Sequence, residues 1–486
     1  MVVGSFDKAD LSSPLINCAV NLVNLQSEEV NLGAQKEGEM QKCLTVYLIT
    51  VLIFTLILSG CRGDSSDTPV ASKTWGTAEV LETDSASRTA TEPQISCDRS
   101  GNAIAVWLSL ETIGEHTKSC TKARRYIAES GWATPELIGT DDAWRDNDPQ
   151  ITVNESGDAV AVWQQFDGAQ YRIMANHYTA GSGWGKAEPI MSPNDGTTLF
   201  PQIALDEAGN AIAVWYQYDG TRFNIMANSY LAGFGWGTAE LIEADDTGDA
   251  KNPHIAMDNS GLAIAIWVQD DGTQSKIMSN QFTTLSGWDT PELIEVNARY
   301  GSFPQVAFDS SGDAIAVLTH DDGTRSSIMA VRHTAGIGWG APEQISTDGI
   351  GGGRRPQIAF DYSGNAIAVW RQFDGSWSNI MANRYTPSLG WGTAQLIETA
   401  PGNAFNPQIG LDRLGNAIAV WYQYDESLSN IMANRHVPGF GWSTAELIGT
   451  NDARDPQIAM DSFGNATVVW QQQGSTRFNI MVNRFE

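Results

Sequence analysis

Positive charge is scarce in this chain of 486 residues, with 29 Lys and Arg against 57 Asp and Glu and a formal net charge of -28. At a pI near 4.4, such a surface repels phosphate backbones and anionic headgroups. Nucleic acid is therefore excluded as a partner, and the bulk of the acidity reads as a solubility device. Cysteine is also sparse. Of five, Cys18, Cys43 and Cys61 come early, leaving Cys97 and Cys120. These two fall on strands one and three of one repeat unit, roughly 10 Å apart when neighbouring strands are spaced by about 4.8 Å. That exceeds the ~7 Å Cα limit for a disulfide, so both are expected to be free thiols. No amphipathic helical pattern of useful length occurs after residue 73, which argues against helical or α/β architectures. Long apolar runs are limited to residues 44 to 58, LTVYLITVLIFTLIL.

What the chain does have is repetition. A segment such as PQIALDEAGNAIAVWYQYDGTRFNIMANSYLAGFGWGTAELIE, residues 201 to 243, recurs with its opening proline at Pro93, Pro149, Pro201, Pro253, Pro304, Pro356, Pro407 and Pro456, a period of 49 to 56 residues. Within this unit Ile203 and Leu205 alternate with Gln202 and Ala204, and Asp206 to Asn210 is a run of turn formers, which together predict a hairpin. Ala211 to Tyr218 is apolar on both faces save Gln217, as an interior strand covered on both sides requires. Asp219-Gly220 is a hairpin turn, Asn224 to Tyr230 reads as a third strand, and Trp236 to Ile242 as a fourth. Four antiparallel strands repeated at this period predict a β-propeller. Residues 74 to 82, TWGTAEVLE, match a fourth strand alone, whereas the last unit ends at Glu486 without one. The fold class is thus expected to be all-β: an eight-bladed propeller over 74–486, closed by the N-terminal strand 74–82, one large domain and a monomer.

The segment PQIALDEAGNAIAVW resembles the NHL-type propeller repeat, with its similar Asp-x-x-Gly-Asn turn, over about 15 of each 52 residues. The resemblance implies the fold and strand order, not an activity. The repeats are also similar to those of uncharacterised bacterial lipoproteins. The apolar run ends in Leu58-Ser59-Gly60-Cys61, which resembles the lipobox of bacterial lipoproteins and implies cleavage before Cys61 and its lipidation. Residues 40–60 then form a lipoprotein signal peptide, 61–73 a flexible tether, and 1–39 an extra leader or a misassigned start. An uncleaved membrane anchor is the alternative. The implied location is the bacterial envelope, lipid-anchored, at the outer membrane or cell surface.

Chemistry is harder to find. The sialidase Asp box is not met, because Asp206 and Gly209 stand three apart rather than two. Asp98, Asp206, Asp258, Asp309, Asp361, Asp412 and Asp461 are expected instead to accept backbone N–H bonds in their turns. The second-strand tryptophans, Trp107, Trp163, Trp215, Trp267, Trp370, Trp421 and Trp470, are expected to pack between blades, with Leu318 serving in the fifth unit. The same packing is expected of the fourth-strand tryptophans. Acidic runs at Asp141, Asp142, Asp146 and Asp148, and at Asp245, Asp246 and Asp249, lack the spacing of a Ca²⁺ loop, so solvated loops and no cofactor are expected, with weak Ca²⁺ binding there as the alternative. The second-to-third-strand turns repeat an amide, a ring and a carboxylate: Gln165, Phe166 and Asp167; Gln217, Tyr218 and Asp219; Gln372, Phe373 and Asp374; Gln423, Tyr424 and Asp425. Those groups suit sugar recognition, against a reading in which Asp-Gly makes the turn and the ring covers a blade edge. No asymmetric pair of acids stands out, so no catalytic residue is assigned. The expected function is a surface-anchored binding module, lectin-like or a protein-docking scaffold, whose partner is a glycan or a protein. The alternative is a sialidase-like hydrolase or lyase with one pocket built from inter-blade loops such as residues 139 to 148, and one deep pocket with a perturbed carboxylate would favour it.

Overall fold

The computed structural model describes residues 73–486, apart from 83–87, 114–115, 141–144, 192–195, 245–246, 299–301, 348–350 and 426. Residues 1–72, which include the leader, the apolar run and Cys61, lie outside the described residues. Every regular element among the described residues is a β-strand.

Blade 3 shows how one repeat folds. Its strands are Thr198–Leu205, Ala211–Tyr218 and Phe223–Leu231, followed by the short pieces Gly235–Trp236 and Glu240–Leu241, which both pair with the third strand. The second strand has the bounds its composition predicts. The fourth is interrupted between Trp236 and Glu240. Asp206 closes the first hairpin by accepting from the backbone N–H and side-chain amide of Asn210, both at 2.8 Å. Asp98, Asp258, Asp309, Asp361, Asp412 and Asp461 accept from their own turns in the same way. This satisfies backbone donors that a turn at a sheet end would otherwise leave to solvent.

The first strand begins five residues before Ile203, because the ladder continues past Pro201 through a register shift between Leu199 and Gln202. The residue before the proline sits there in the left-handed region, with Phe200 at φ 51°. Proline has no N–H to give the ladder, so the strand accommodates it as a bulge. The same geometry recurs in six other blades, at Glu92, Asp148, Asn252, Arg355, Asn406 and Asp455, all with φ between 47° and 54°.

The eight first strands touch one another in order, and Arg88–Cys97 of blade 1 also touches Ala453–Met460 of blade 8, so the ring is closed. Eight buried clusters lie between successive blades, one per seam. Each takes one large second-strand residue: the seven tryptophans and Leu318 are all 0% exposed. The third-strand asparagines of the Ile-Met-Ala-Asn segment staple the seams. Asn176, Asn228, Asn280 and Asn434 each donate across the seam to a buried fourth-strand carbonyl of the preceding blade, at 2.7–2.9 Å. Fourth-strand tryptophans are half-buried and lie against third-strand rings, as Trp132 on Tyr126 and Trp288 on Phe282. Neither Cys97 nor Cys120 is in a disulfide.

The last blade, Ala453–Met460, Ala466–Gln473 and Phe478–Phe485, takes its fourth strand from the N-terminal segment. Glu79–Val80 pairs with Met481 and Val482, and Trp75 with Phe485. This leaves neither an unpaired sheet edge nor a bare blade face at the join. Blades 4 and 5 are also joined as one sheet through Ala298 and His320.

Candidate functional site at the upper mouth of the axial channel

Strand alternation sorts the connections onto two faces. The second-to-third-strand turns and the inter-blade connections share one, termed upper here; the first-to-second and third-to-fourth turns share the lower. The first strands surround an axial channel between them.

At the upper mouth is a cavity of about 350 Å³ walled by the segment that precedes and includes Pro-Gln in six blades, with Glu92, Asp148, Phe303, Arg355, Asn406 and Asp455 at its rim and Gln94, Gln150, Gln305, Gln357, Gln408 and Gln457 below them. Non-glycine residues at positive φ are uncommon, and strain of this kind persists where surrounding structure enforces it. Here the bulge holds the pre-proline side chains at the rim in five of the six blades, Phe303 of blade 5 standing before a strand that starts at Gln305. The glutamine position carries the same amide in seven of the eight blades, while the position before each proline changes from one blade to the next. In blade order it reads Glu, Asp, Phe, Asn, Phe, Arg, Asn, Asp.

The result is a mouth with two unlike sides. Blades 8, 1 and 2 contribute Asp455, Glu92 and Asp148, while blade 6 contributes Arg355, whose guanidinium lies 5.1 Å from the ring centre of Phe303. Burial raises the pKa of Glu92, and the carboxylates of Asp148 and Asp455 raise it further; the Asp148 backbone N–H, donating to Glu92 Oε2 at 2.8 Å, and Arg145 oppose them. Glu92 is reachable from the mouth, yet the surrounding walls exclude enough water for desolvation to dominate. Asp148 is raised by burial as well, against a hydrogen bond from the Gln164 amide. Asp455 accepts from Asn406 Nδ2 at 2.8 Å and Gln471 Nε2 at 2.7 Å. In blade 4 the ring of amides is broken by His254, whose Nδ1 accepts from the Val306 N–H at 3.3 Å. Desolvation brings its pKa down to about 4.

The lower mouth is crossed by side chains. Tyr362 donates its hydroxyl to Glu155 Oε1 at 2.9 Å and accepts from Arg99 at 2.5 Å. Arg413 lies over the Tyr362 ring, 4.6 Å from its centre, and Arg99 pairs with Glu155. These residues come from blades 1, 2, 6 and 7 and form a network over a shallower recess of about 210 Å³.

The turn residues singled out from the sequence lie on the upper face, away from the axis, each set within its own blade. Their amides have partners. Gln217, Gln372 and Gln423 each accept from the indole of the tryptophan two residues earlier, at 2.9–3.3 Å. Gln165 donates to Asp146 Oδ1 at 3.1 Å. The carboxylates close the turns: Asp167 and Asp425 accept from two backbone N–H groups each, which hold both pKa values down to about 2. Asp374 is lowered for the same reason, chiefly through the Trp377 N–H, and Asp219 chiefly through the Thr221 hydroxyl and the Asn224 amide. The rings of Tyr218, Phe373 and Tyr424 remain 38–42% exposed, and Phe166 packs against Tyr171. Of the acidic runs, Asp141, Asp142, Asp245 and Asp246 lie outside the described residues. Asp146 is buried on Thr121, with desolvation raising its pKa to about 6, and Asp249 bonds Lys251 and the Phe223 N–H. Among the described residues no group of three or more His, Cys, Asp or Glu is placed to hold a metal ion.

The rim residues Glu92, Asp148, Arg355 and Asp455 were not singled out as a site from the sequence, where Asp148 entered only as part of an acidic run. The signal available was the one position of changing chemistry in an otherwise repeating Pro-Gln-Ile segment.

No protein-family model matches this chain, and no curated protein matches it in sequence. Among solved structures, an ulvan lyase of the polysaccharide lyases is similar at 10% identity and TM-score 0.44, over 84% of this chain and 95% of its own. A protein of unknown function from Dyadobacter fermentans is similar at 11% identity and TM-score 0.43, over 86% and 100%. A leech intramolecular trans-sialidase is similar at 8% identity and TM-score 0.38, over 85% and 94%. One ring of blades supports many unrelated reactions, so the functional argument rests on the site.

Proposed function

We propose that the propeller is a glycan-active protein, held at the bacterial envelope through Cys61, that takes a sugar into the upper axial mouth and hydrolyses a glycosidic bond there. The observation that carries this reading is the asymmetric rim: Glu92 and Asp148, both with raised pKa, lie against each other and face Arg355 and Phe303. A ring of amides suits sugar hydroxyls, and the Phe303 ring offers a face for sugar C–H groups. Two carboxylates that share one enclosed site do not both ionise readily, so a proton is held more tightly there than on a free carboxyl group. In this reading Glu92 donates that proton to the glycosidic oxygen as the C–O bond breaks, and Asp148 accepts a proton from the water that attacks the anomeric carbon.

A second reading, a lectin-like module without turnover, draws on the exposed rings of Tyr218, Phe373 and Tyr424 on the same face. One experiment separates them. Reducing-sugar release from neutral and uronic-acid polysaccharides is measured with the wild type, Glu92→Gln, Asp148→Asn and the combined alanine variant of Phe166, Tyr218, Phe373 and Tyr424. The hydrolase reading expects Glu92→Gln to lower kcat by about a hundredfold or more while binding is retained. Turnover indifferent to both carboxamide changes, or binding without turnover that is lost only in the combined variant, refutes it.

A further inference from the structure

The lower face carries a surface that the channel does not use. At the third-to-fourth-strand turns of blades 3 to 7, Phe234, Leu285, Ile337, Leu389 and Phe440 stand 84–99% exposed. Single exposed apolar residues are ordinary, but one on the same turn of five successive blades is a crescent of repeated apolar tips on one face, a pattern that marks a contact surface. The five turns read LAGFG, TTLSG, TAGIG, TPSLG and VPGFG, without one charged residue in a chain of net charge -28. On the opposite face the second-to-third-strand turns of blades 2 to 7 each carry at least one aspartate.

The chain itself indicates what meets this crescent. The first described residue, Lys73, donates from Nζ to the Phe463 carbonyl at 2.8 Å and also bonds Asn465 Oδ1, both on the first-to-second-strand turn of blade 8. The Thr74 N–H donates to the Glu486 carbonyl at 2.9 Å, at the lower end of the third strand. The chain therefore enters the propeller on the lower face, twelve residues after Cys61, a stretch that reaches at most about 40 Å when extended. An acyl group on Cys61 would keep this face, and not the upper one, close to a bilayer.

We propose that the apolar crescent docks on the lipid bilayer, turning the upper mouth outward. Uncharged tips can enter the headgroup region without the cost of desolvating a charge, while the acidic upper turns are repelled from anionic headgroups. The inference goes beyond the proposed glycan chemistry and depends on the lipid anchor.

The test uses the acylated chain in phosphatidylcholine vesicles, in a Cys97→Ala, Cys120→Ala background, with an environment-sensitive fluorophore on Leu285→Cys or on Thr273→Cys of the upper face. The crescent probe should shift to the blue and lose at least half its emission to nitroxide-labelled lipid, and the Thr273 probe should do neither. Changing Phe234, Ile337, Leu389 and Phe440 to serine should return the crescent probe to its aqueous emission while the chain still floats with the vesicles. A floating chain whose crescent probe is unquenched overturns the docking and spares the anchor. A chain that does not float overturns both. A dimer in sedimentation that the serine changes split, with no lipid quenching, would identify a second copy as the occupant and overturn the bilayer.

Discussion

Truncating one side chain on the closing strand should weaken the ring at its seam. Leu81 is 0% exposed and packs with Trp107, Ile480 and Val482 in the cluster between blades 8 and 1. Leu81→Ala removes three carbon groups, about 2.4 kcal/mol at ~0.8 kcal/mol each, and the space left behind adds to the loss, for a total of about 3–4 kcal/mol. The neighbouring Val80 is 45% exposed, so Val80→Ala should cost less than about 1 kcal/mol. The closing segment is held to blade 8 by a short run of backbone bonds, including Leu81 N–H to Ile480 at 2.7 Å and Gly76 N–H to Arg484 at 2.8 Å. The loss should therefore appear first as local opening. At about 1.4 kcal/mol per factor of ten, 3 kcal/mol multiplies the open population by roughly 150. Hydrogen exchange of Phe478–Phe485 in the native state, together with urea unfolding, reads both effects. If Leu81→Ala and Val80→Ala exchange and unfold alike, the seam is not where the ring is weakest and the reasoning fails.

Two more outcomes can be checked simply. His254 has its pKa drawn down to about 4 by desolvation, below the ~6.5 of an unfolded histidine. The unfolded chain then binds the extra proton, so this contribution to stability is whole above about pH 6.5 and is lost as the pH falls towards 4. His254→Gln, which installs the residue found at this position in the other seven blades, should remove about one proton from the pH dependence of the urea midpoint between pH 7 and pH 4; an unchanged dependence would place the titration elsewhere. Cys61→Ser should release the protein from membranes if that residue carries lipid; equal fractionation of variant and wild type, with no acyl label at residue 61, would remove the anchor.

Much of this protein was legible without coordinates, because each repeat states its own local requirements. The second strand, Ala211–Tyr218, is apolar on both faces since blades cover it from both sides, and that pattern marks its ends in the sequence. The Asp206 turn and the lone fourth strand at residues 74 to 82 are legible for the same reason: both express hydrogen-bonding needs that composition reveals. Pro201 misleads, as proline usually ends a strand, and only the packed ring shows the ladder passing it through a left-handed Phe200. The site lies one step further from the sequence. Glu92 and Asp148 are 56 residues apart, and Asp455 lies 307 residues beyond Asp148; closure of the ring puts blade 8 beside blade 1 and brings all three to one rim. Periodicity determines a blade because the burial of each strand is set within its own repeat and the next. The axis is where eight repeats meet. Their common residues form a ring of amides there, broken by His254 alone, and the chemistry of the mouth is left to the one position before each proline that differs from blade to blade.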